Sequence, residues 1–545
     1  MTHADFIKVI LDSGETRRIP PGRDRRSLAD LLSDHGLPLN TRCGQRGLCR
    51  GCEVALVEGS LIIEDGPVHA PATFKACEAR VSGPATIRLP TRSRIEHRPQ
   101  IGETFAIGIP YAHQPLFVPV PGGRDTAFAV DVGTTTVALL CVDLVTGDIL
   151  SRASAFNEQI RFGDNVITRI EVAQQAGQLA AMQRAIVTET LRPLLLLACE
   201  RAGRSLDRIA GGAVSGNTTM LHLLVGEDPT SLGMAPFKPR FIAGKQVLAR
   251  ELNLTADGLA PETRIQVLPG IAGYLGSDIA AGVIATGMAY DPAPSLLVDI
   301  GTNGEILLQS QGRFTACATA AGPAFEGCGL SSGTRAVEGA VSDLRLKSNP
   351  FQLEWETIGQ IPLARSGGIC GSAYLDFLAT ARSSGLLGPT GRFEAAAWTG
   401  LPEQNRLVEG NERAFRLTLN GAAGLRISEL DVSLLLQAKA AIGAGIETLL
   451  ERAGIRAADL GDVYLAGGFG MHLDVAHATA CGLLPGIHPE QVRVVGNTSL
   501  AGALLALVDR SLLDEMECLH TRVEVVELNL SEGFEDCFIE HLSLP

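Results

Sequence analysis

Val298-Asp299-Ile300-Gly301-Thr302-Asn303-Gly304 reads as a buried strand running straight into a glycine turn, and Val130-Asp131-Val132-Gly133-Thr134-Thr135-Thr136 carries the same pattern earlier in the chain. In such a turn successive backbone N–H groups converge, and glycine lets an anion approach where a side chain would block it. One Asp-x-Gly-Thr turn is weak evidence, because turns commonly contain these residues. Two in order, each after an apolar run, point to a duplicated α/β fold in which each half supplies one phosphate turn. Gly133 and Gly301 would give the close approach, Asp131 and Asp299 would hold Mg2+ directly or through water, and Thr134, Thr135, Thr302 and Asn303 would contact phosphate oxygens.

Working outward from these turns, strands such as Phe128 to Val132 alternate with small-residue helices such as Ile279 to Thr286, as an α/β fold requires. A third glycine turn, Leu465-Ala466-Gly467-Gly468-Phe469-Gly470, follows the strand Asp462 to Leu465. Ser215-Gly216-Asn217-Thr218-Thr219 ends another strand, and Ala320 to Gly327 follows a further one. Asn217 and Glu326 are candidates to orient water or metal there, although isolated residues of these types more often shape turns.

The front of the chain is different. Phe6 to Leu11 and Thr16 to Ile19 read as a β-hairpin, Ser27 caps a short helix with Leu28, Leu31 and Leu32 on one face, and Glu53 to Val57 reads as the next strand. Between helix and strand lie Cys43, Cys49 and Cys52, with Cys77 farther on, a C-x5-C-x2-C…C array. Thiolates suit iron, and a 2Fe-2S cluster bound only by cysteine needs four. Plant-type ferredoxins use C-x4-C-x2-C plus a distant cysteine, so the first gap here is one residue longer. Gly44, Gly47 and Gly51 let the backbone wrap the cluster. A structural zinc site is the competing reading, but such sites usually present two paired cysteine turns. The remaining eight cysteines, Cys141, Cys199, Cys317, Cys328, Cys370, Cys481, Cys518 and Cys537, are scattered without C-x2-C spacing and are expected to be buried, inert thiols.

Length and charge bound the rest. At 545 residues several domains are expected. The boundaries read as a ferredoxin-like domain over 1–95, a linker over 96–125 marked by Pro99, Pro110, Pro115, Pro119 and Pro121, and a nucleotide-binding body over 126–545. A net charge of −14 argues against a nucleic-acid partner, which needs clustered Lys and Arg. Residues 1–95 nevertheless carry 14 Lys and Arg against 11 Asp and Glu, so the front could meet an acidic partner or be a solvated surface. No leader pattern opens the sequence and no uninterrupted apolar run of about 18 residues occurs, so a cytoplasmic protein without membrane attachment is expected. In a reducing compartment the cysteine group is metal-bound or catalytic rather than disulfide-bonded.

The hairpin, helix, cysteine loop and strand resemble the β-grasp fold of 2Fe-2S ferredoxins, an α+β domain. The order of the two phosphate turns and the Gly467-Gly468 turn resembles the two-lobed, actin-like ATPase superfamily of acetate and sugar kinases, heat-shock chaperones and actin. In that resemblance the third turn takes the adenosine, and Gly276 to Gly287 and Ser499 to Leu507 look like two connecting helices whose small residues allow a close crossing. With Ser215–His222 (SGNTTMLH), Asp299–Glu305 (DIGTNGE), Ala320–Gly327 (AAGPAFEG), Gly368–Ser372 (GICGS) and Ala466–Gly470 (AGGFG), nearly the whole chain resembles the reductive activators of corrinoid-dependent enzymes. The resemblance implies ATP-dependent electron transfer from a 2Fe-2S cluster to Co(II), regenerating Co(I) on the corrinoid protein of a methyltransferase system. It also implies an electron donor, with Mg2+ and ATP as further cofactors, and it admits a homodimer. Some larger relatives carry a middle domain between linker and ATPase body, which this chain reads as lacking, since the proline-rich stretch runs almost directly into Asp131. Two rivals stand beside this reading: a small-molecule kinase with a fused ferredoxin domain, and a redox carrier with a regulatory nucleotide-binding module.

Overall fold

The computed structural model describes residues 6–11, 15–20, 27–35, 37, 39, 52–63, 66–89, 105–163, 165–327, 329–334, 339–348, 351–360, 362, 368–410, 412–417, 425–467 and 473–545. The chain divides into two compact units. One comprises Met1–Arg161, Ile170–Pro292 and Thr498–Thr521, the other Phe162–Arg169, Ala293–Asn497 and Arg522–Pro545.

The first unit opens with a six-stranded mixed sheet. Strands β1 (Ile7–Leu11) and β2 (Thr16–Ile19) form the expected hairpin; β3 (Glu53–Ile63), β4 (Gly66–His69), β5 (Ala72–Lys75) and β6 (Arg80–Leu89) complete the sheet in the order β2-β1-β6-β3-β4, with β5 on β3. β1 and β6 run parallel while β3 is antiparallel to β6, the pairing of a β-grasp. Ser27 caps the helix Leu28–Asp34 by accepting the Asp30 N–H at 3.1 Å, and Leu28 and Leu32 are fully buried under the sheet with Ile7, Val9, Val54 and Ile87.

The unit continues with β7 (Thr126–Val132), β8 (Thr136–Asp143), β9 (Ile149–Phe156), β10 (Ile209–Gly216), β11 (Lys245–Leu248) and β12 (Arg264–Val267), in the order β11-β12-β10-β7-β8-β9. β7, β8 and β9 form an antiparallel meander, and β10 and β12 add in parallel. The helices Ser277–Thr286 and Thr498–Val508 pack at a bare-backbone crossing: a Cβ on Gly502 would lie 2.3 Å from the Ala281 Cβ. The expected close crossing of two small-residue helices is therefore present, and glycine at 502 is what permits it.

The linker expected over 96–125 reads differently in its described part. Phe105, Ile107, Ile109 and Tyr111 are buried at every second residue, and Phe117 is buried farther on. Gly108 N donates to Ala285 O at 2.7 Å and Leu116 N to Leu507 O at 2.8 Å, so the strand-like segment is strapped to the ends of both crossing helices. Proline removes only its own N–H. The alternate apolar residues still bury one face, and that period of two is the signal the proline count obscured.

The second unit repeats the sheet of the first. β13 (Ser295–Ile300), β14 (Gly304–Ser310) and β15 (Arg313–Thr319) form the meander. After the hairpin β16 (Val341–Ser348) and β17 (Phe351–Thr357) and the three-stranded β18 (Arg406–Glu409), β19 (Glu412–Leu417) and β20 (Leu425–Ser428), the strands β21 (Asp462–Ala466) and β22 (Val492–Gly496) add in parallel. β23 (Val523–Val525) closes the order β22-β21-β13-β14-β15-β23. In both halves an antiparallel three-strand meander is extended on the side of its first strand by two parallel strands in succession, which is the duplication the two turns predicted. The 25-residue helix Glu429–Ala453 is apolar and long enough to cross a membrane, but 72% of its most apolar window is buried within the protein, and it packs on β14 and β15 as a core helix.

Candidate functional site

At the front sheet, the register of β3 on β5 pairs Glu53 with Lys75, and Ala76 N donates to Cys52 O at 3.0 Å. That ladder brings Cys52, just before β3, beside Cys77, just after β5. Cys52 is fully buried in the domain core and Cys77 packs against it half-buried. The other two expected ligands, Cys43 and Cys49, lie outside the described residues. Two cysteines brought by one ladder onto an apolar core fit a thiolate-bound cluster, because soft sulfur donors screened from water suit iron.

Asp131 stands at the end of β7 and is engaged from below. Ser499 Oγ donates to Asp131 Oδ1 at 2.7 Å and also lies 2.9 Å from Ser215 Oγ, which is 3.2 Å from Ser277 Oγ. Ser277 Oγ in turn accepts the Gly216 N–H at 3.0 Å. Asp278, next along, is pushed up to about 7, first by burial and further by the Asp131 carboxylate. The two carboxylates therefore lie near enough to repel, a repulsion that a divalent cation would relieve. Gly133 N donates to Thr136 O at 3.0 Å to close the turn, Asn157 Nδ2 donates to Gly133 O at 2.9 Å, and Asn157 N donates to Thr135 O at 2.9 Å. Asn217 Nδ2 donates to Thr134 Oγ1 at 3.0 Å while its Oδ1 accepts the Met220 N–H as the cap of helix Thr218–Val225. Asn217 thus orients a turn threonine as well as capping a helix.

In the second half, Asp299 stands at the end of β13, Gly301 N donates to Asn303 O at 2.9 Å, and Thr302 Oγ1 donates to Glu326 Oε1 at 3.0 Å. Glu326 ends the one-turn helix Pro323–Glu326, so the sequence stretch 320–327 does reach the turn. A Cβ on Gly301 would meet nothing closer than 3.9 Å. The protein's own packing does not demand glycine there, and the open side suits a ligand that approaches the backbone. Gly467 is the opposite case: φ is +92° and a Cβ would fall 2.4 Å from Ile300 O and 2.7 Å from Asp299 Oδ1, so glycine is required for β21 to end beside the Asp299 turn. Gly468 lies outside the described residues.

Several site-adjacent residues carried no sequence signal of their role. His222, the last letter of SGNTTMLH, is fully buried; Nδ1 lies 2.7 Å from Thr218 O, Nε2 accepts the Arg240 N–H at 3.1 Å, and the ring stacks on Phe241 at 4.4 Å. Burial holds its pKa below the usual histidine range, so it is a neutral core residue. Cys370 in GICGS is the N-cap of the helix Gly371–Ser383, with its Sγ 3.0 Å from Ser372 Oγ. Of the scattered cysteines, Cys141, Cys199, Cys317, Cys370 and Cys481 are buried as expected, Cys328 lies outside the described residues, and Cys518 is exposed and Cys537 half-buried, contrary to expectation.

The duplicated sheets, each with an aspartate–glycine–threonine turn after its first strand, define an actin-like ATPase of the ASKHA class, preceded by a mixed sheet consistent with a ferredoxin-like domain. Two models of one family match: the RACo middle region over residues 126–291, and the C-terminal domain of RACo, the ASKHA domain, over residues 293–545. The chain belongs to this family. The middle segment that the sequence read as lacking is thus matched by the first of the two sheet halves. Among similar proteins, the corrinoid activation enzyme RamQ of Eubacterium limosum is 29% identical over 89% of this chain and 90% of its own length. The [Co(II) methylated amine-specific corrinoid protein] reductase of Methanosarcina barkeri is 27% identical over 76% of each. A solved structure of a reductive activator for corrinoid, iron-sulfur protein superposes with a TM-score of 0.72 at 27% identity, covering 99% of this chain and 98% of that one.

Proposed function

We propose that this protein is an enzyme that reductively activates a corrinoid protein, using ATP to return Co(II) to Co(I). The observation that carries the reading is the joining, on one chain, of a β-grasp ladder that sets Cys52 against Ala76, the neighbour of Cys77, and two sheet halves that each present an Asp-x-Gly-Thr turn. Cys43, Cys49, Cys52 and Cys77 would hold a 2Fe-2S cluster. When bound, such a cluster supplies one electron at roughly −400 mV. Cys52 and Cys77 would hold it beside the β3–β5 ladder, over the apolar core on which both residues pack.

At the turns the residues bind and orient. Asp131 and Asp299 would hold Mg2+, and the backbone N–H groups beside Gly133 and Gly301, with Thr134, Thr135, Thr302 and Asn303, would contact the phosphates of ATP. Thr134 and Thr302 are pre-oriented by Asn217 and Glu326, which limits the reorganisation on binding. Each 100 mV by which the cobalt acceptor lies below the donor costs about 2.3 kcal/mol for one electron. Nucleotide-dependent grip on the corrinoid partner would offset that cost through differential affinity for its two redox states. A separate electron donor recharges the protein. Anaerobic purification tests this reading: two irons per chain and an iron–sulfur spectrum lost in Cys52→Ser are expected, with ATP turnover lost in Asp299→Ala. A chain that carries no iron, or whose Asp299→Ala variant turns over ATP normally, contradicts it.

A further inference from the structure

Among the described residues outside the cluster domain and the phosphate turns, one group of side chains combines a thiol, an imidazole and a carboxylate. On the helix Phe534–His541, Cys537 and His541 stand four residues apart and therefore on one face. That face packs on the helix Glu429–Ala453, where Glu447 meets both: Cys537 Sγ lies 3.4 Å from Glu447 Oε2, and His541 Nε2 lies 2.5 Å from the same oxygen. All three donor atoms lie within 4.8 Å of one another and each residue is half-buried. Gly443, one turn before Glu447, makes the seat for the imidazole, since a Cβ there would lie 3.0 Å from Nδ1 and 3.2 Å from Cγ of His541. Glu451 and Glu540 add negative charge around the Cys537 sulfur.

We propose that Glu447, Cys537 and His541 form a binding site for one thiophilic divalent cation, best matched by Zn2+, with a fourth position left to water. Thiolate, imidazole and carboxylate are each zinc donors, and three protein ligands plus a water complete a tetrahedron. Bonds of about 2.3 Å to sulfur and about 2.0 Å to oxygen in a tetrahedron set S and O about 3.5 Å apart, which the present spacing matches. The Glu447–His541 contact is a hydrogen bond and must open by about 1 Å to admit the ion, because ligands to one zinc sit about 3.3 Å apart. Glu447 is 45% exposed and has room to swing outward, while Gly443 holds the ring in place. A second His–carboxylate group, His477 with Asp376 and Asp474, is already accounted for: Asp474 caps its own helix through the His477 N–H, and Asp376 accepts a ring hydrogen bond at 2.7 Å. The Cys537 site does not rest on the proposed redox function. The bound ion would pin the Phe534–His541 helix to the long core helix.

The test uses the full chain carrying its own iron, equilibrated with Zn2+ and desalted. One zinc per chain above the Cys537→Ser/His541→Ala variant is expected, with the iron content of the two equal. Gly443→Ala and Glu447→Gln should each weaken binding by about tenfold or more. Co2+ used as a probe should give a thiolate-to-metal absorption band in the wild type that is missing in Cys537→Ser. Equal zinc in wild type and double variant, or Co2+ spectra without a Cys537-dependent thiolate band, overturns the proposal. Should the double variant fail to fold, the single Glu447→Gln variant decides by the same zinc titration.

Discussion

The two sheet halves share a topology and differ in how they hold their turns. In the first, a relay of hydroxyls from Ser277, Ser215 and Ser499 reaches Asp131, and an amide, Asn217, positions Thr134. In the second, a carboxylate, Glu326, positions Thr302, and a glycine at positive φ, Gly467, brings backbone against Asp299. Duplication therefore conserved the strand order and left the second layer around each turn to differ. The histidines diverge as well. His222 is kept neutral by burial, whereas His477 is held above the usual range, first by its hydrogen bond to the Asp376 carboxylate.

The strongest way to break this comparison is to remove each aspartate in turn. Asp131→Ala and Asp299→Ala should each lower ATP turnover by about 10²–10³-fold, the usual loss for a group that stabilises developing charge. Steady-state phosphate release checks this, and a variant at full activity would show that its half is only scaffold. Next, Gly467→Ala forces a Cβ onto Ile300 O at a positive φ and should destabilise the protein by about 1–3 kcal/mol, read from urea unfolding. Gly301→Ala has space and should leave unfolding within about 0.5 kcal/mol of wild type while weakening nucleotide binding. An equal stability loss in both would erase the distinction drawn between the two glycines.

Acidity separates the two histidines. His477, raised in the folded state, adds stability that is complete below its unfolded value of about 6.5 and fades as pH rises through the folded value. His222, lowered by burial, withholds stability as pH falls below about 6.5, because only the unfolded chain then takes up its proton. Urea unfolding at pH 6 and pH 8 should show His477→Gln losing more at the lower pH and His222→Asn flattening the acid limb; the reverse pattern would contradict both assignments. A modest effect is expected for Ser499→Ala, which removes one hydrogen bond to Asp131 and should cost about 1 kcal/mol of stability in urea unfolding.

Much of this was legible in the residues because the signals were local. Asp131 and Asp299 follow apolar runs, Ser27 precedes its leucines, and Cys52 precedes a β-branched strand, so strand ends and caps could be read from near neighbours. The relay around Asp131 was not legible, since Ser499 and Asp131 are 368 residues apart and nothing in either neighbourhood marks the bond. Asp278, an acid in the first turn of its helix, carries no local mark of the Asp131 charge that the fold brings near it. The buried strap at Phe105 to Phe117 was hidden by prolines, which mark restricted backbone and carry no information about burial.

The most direct measurement is to mix the anaerobically reduced protein with a Co(II) corrinoid protein and follow Co(I) formation optically, with and without Mg-ATP. The account predicts extensive Co(I) only when nucleotide is present, and little in Asp131→Ala or Asp299→Ala. Equal Co(I) formation without nucleotide would contradict it.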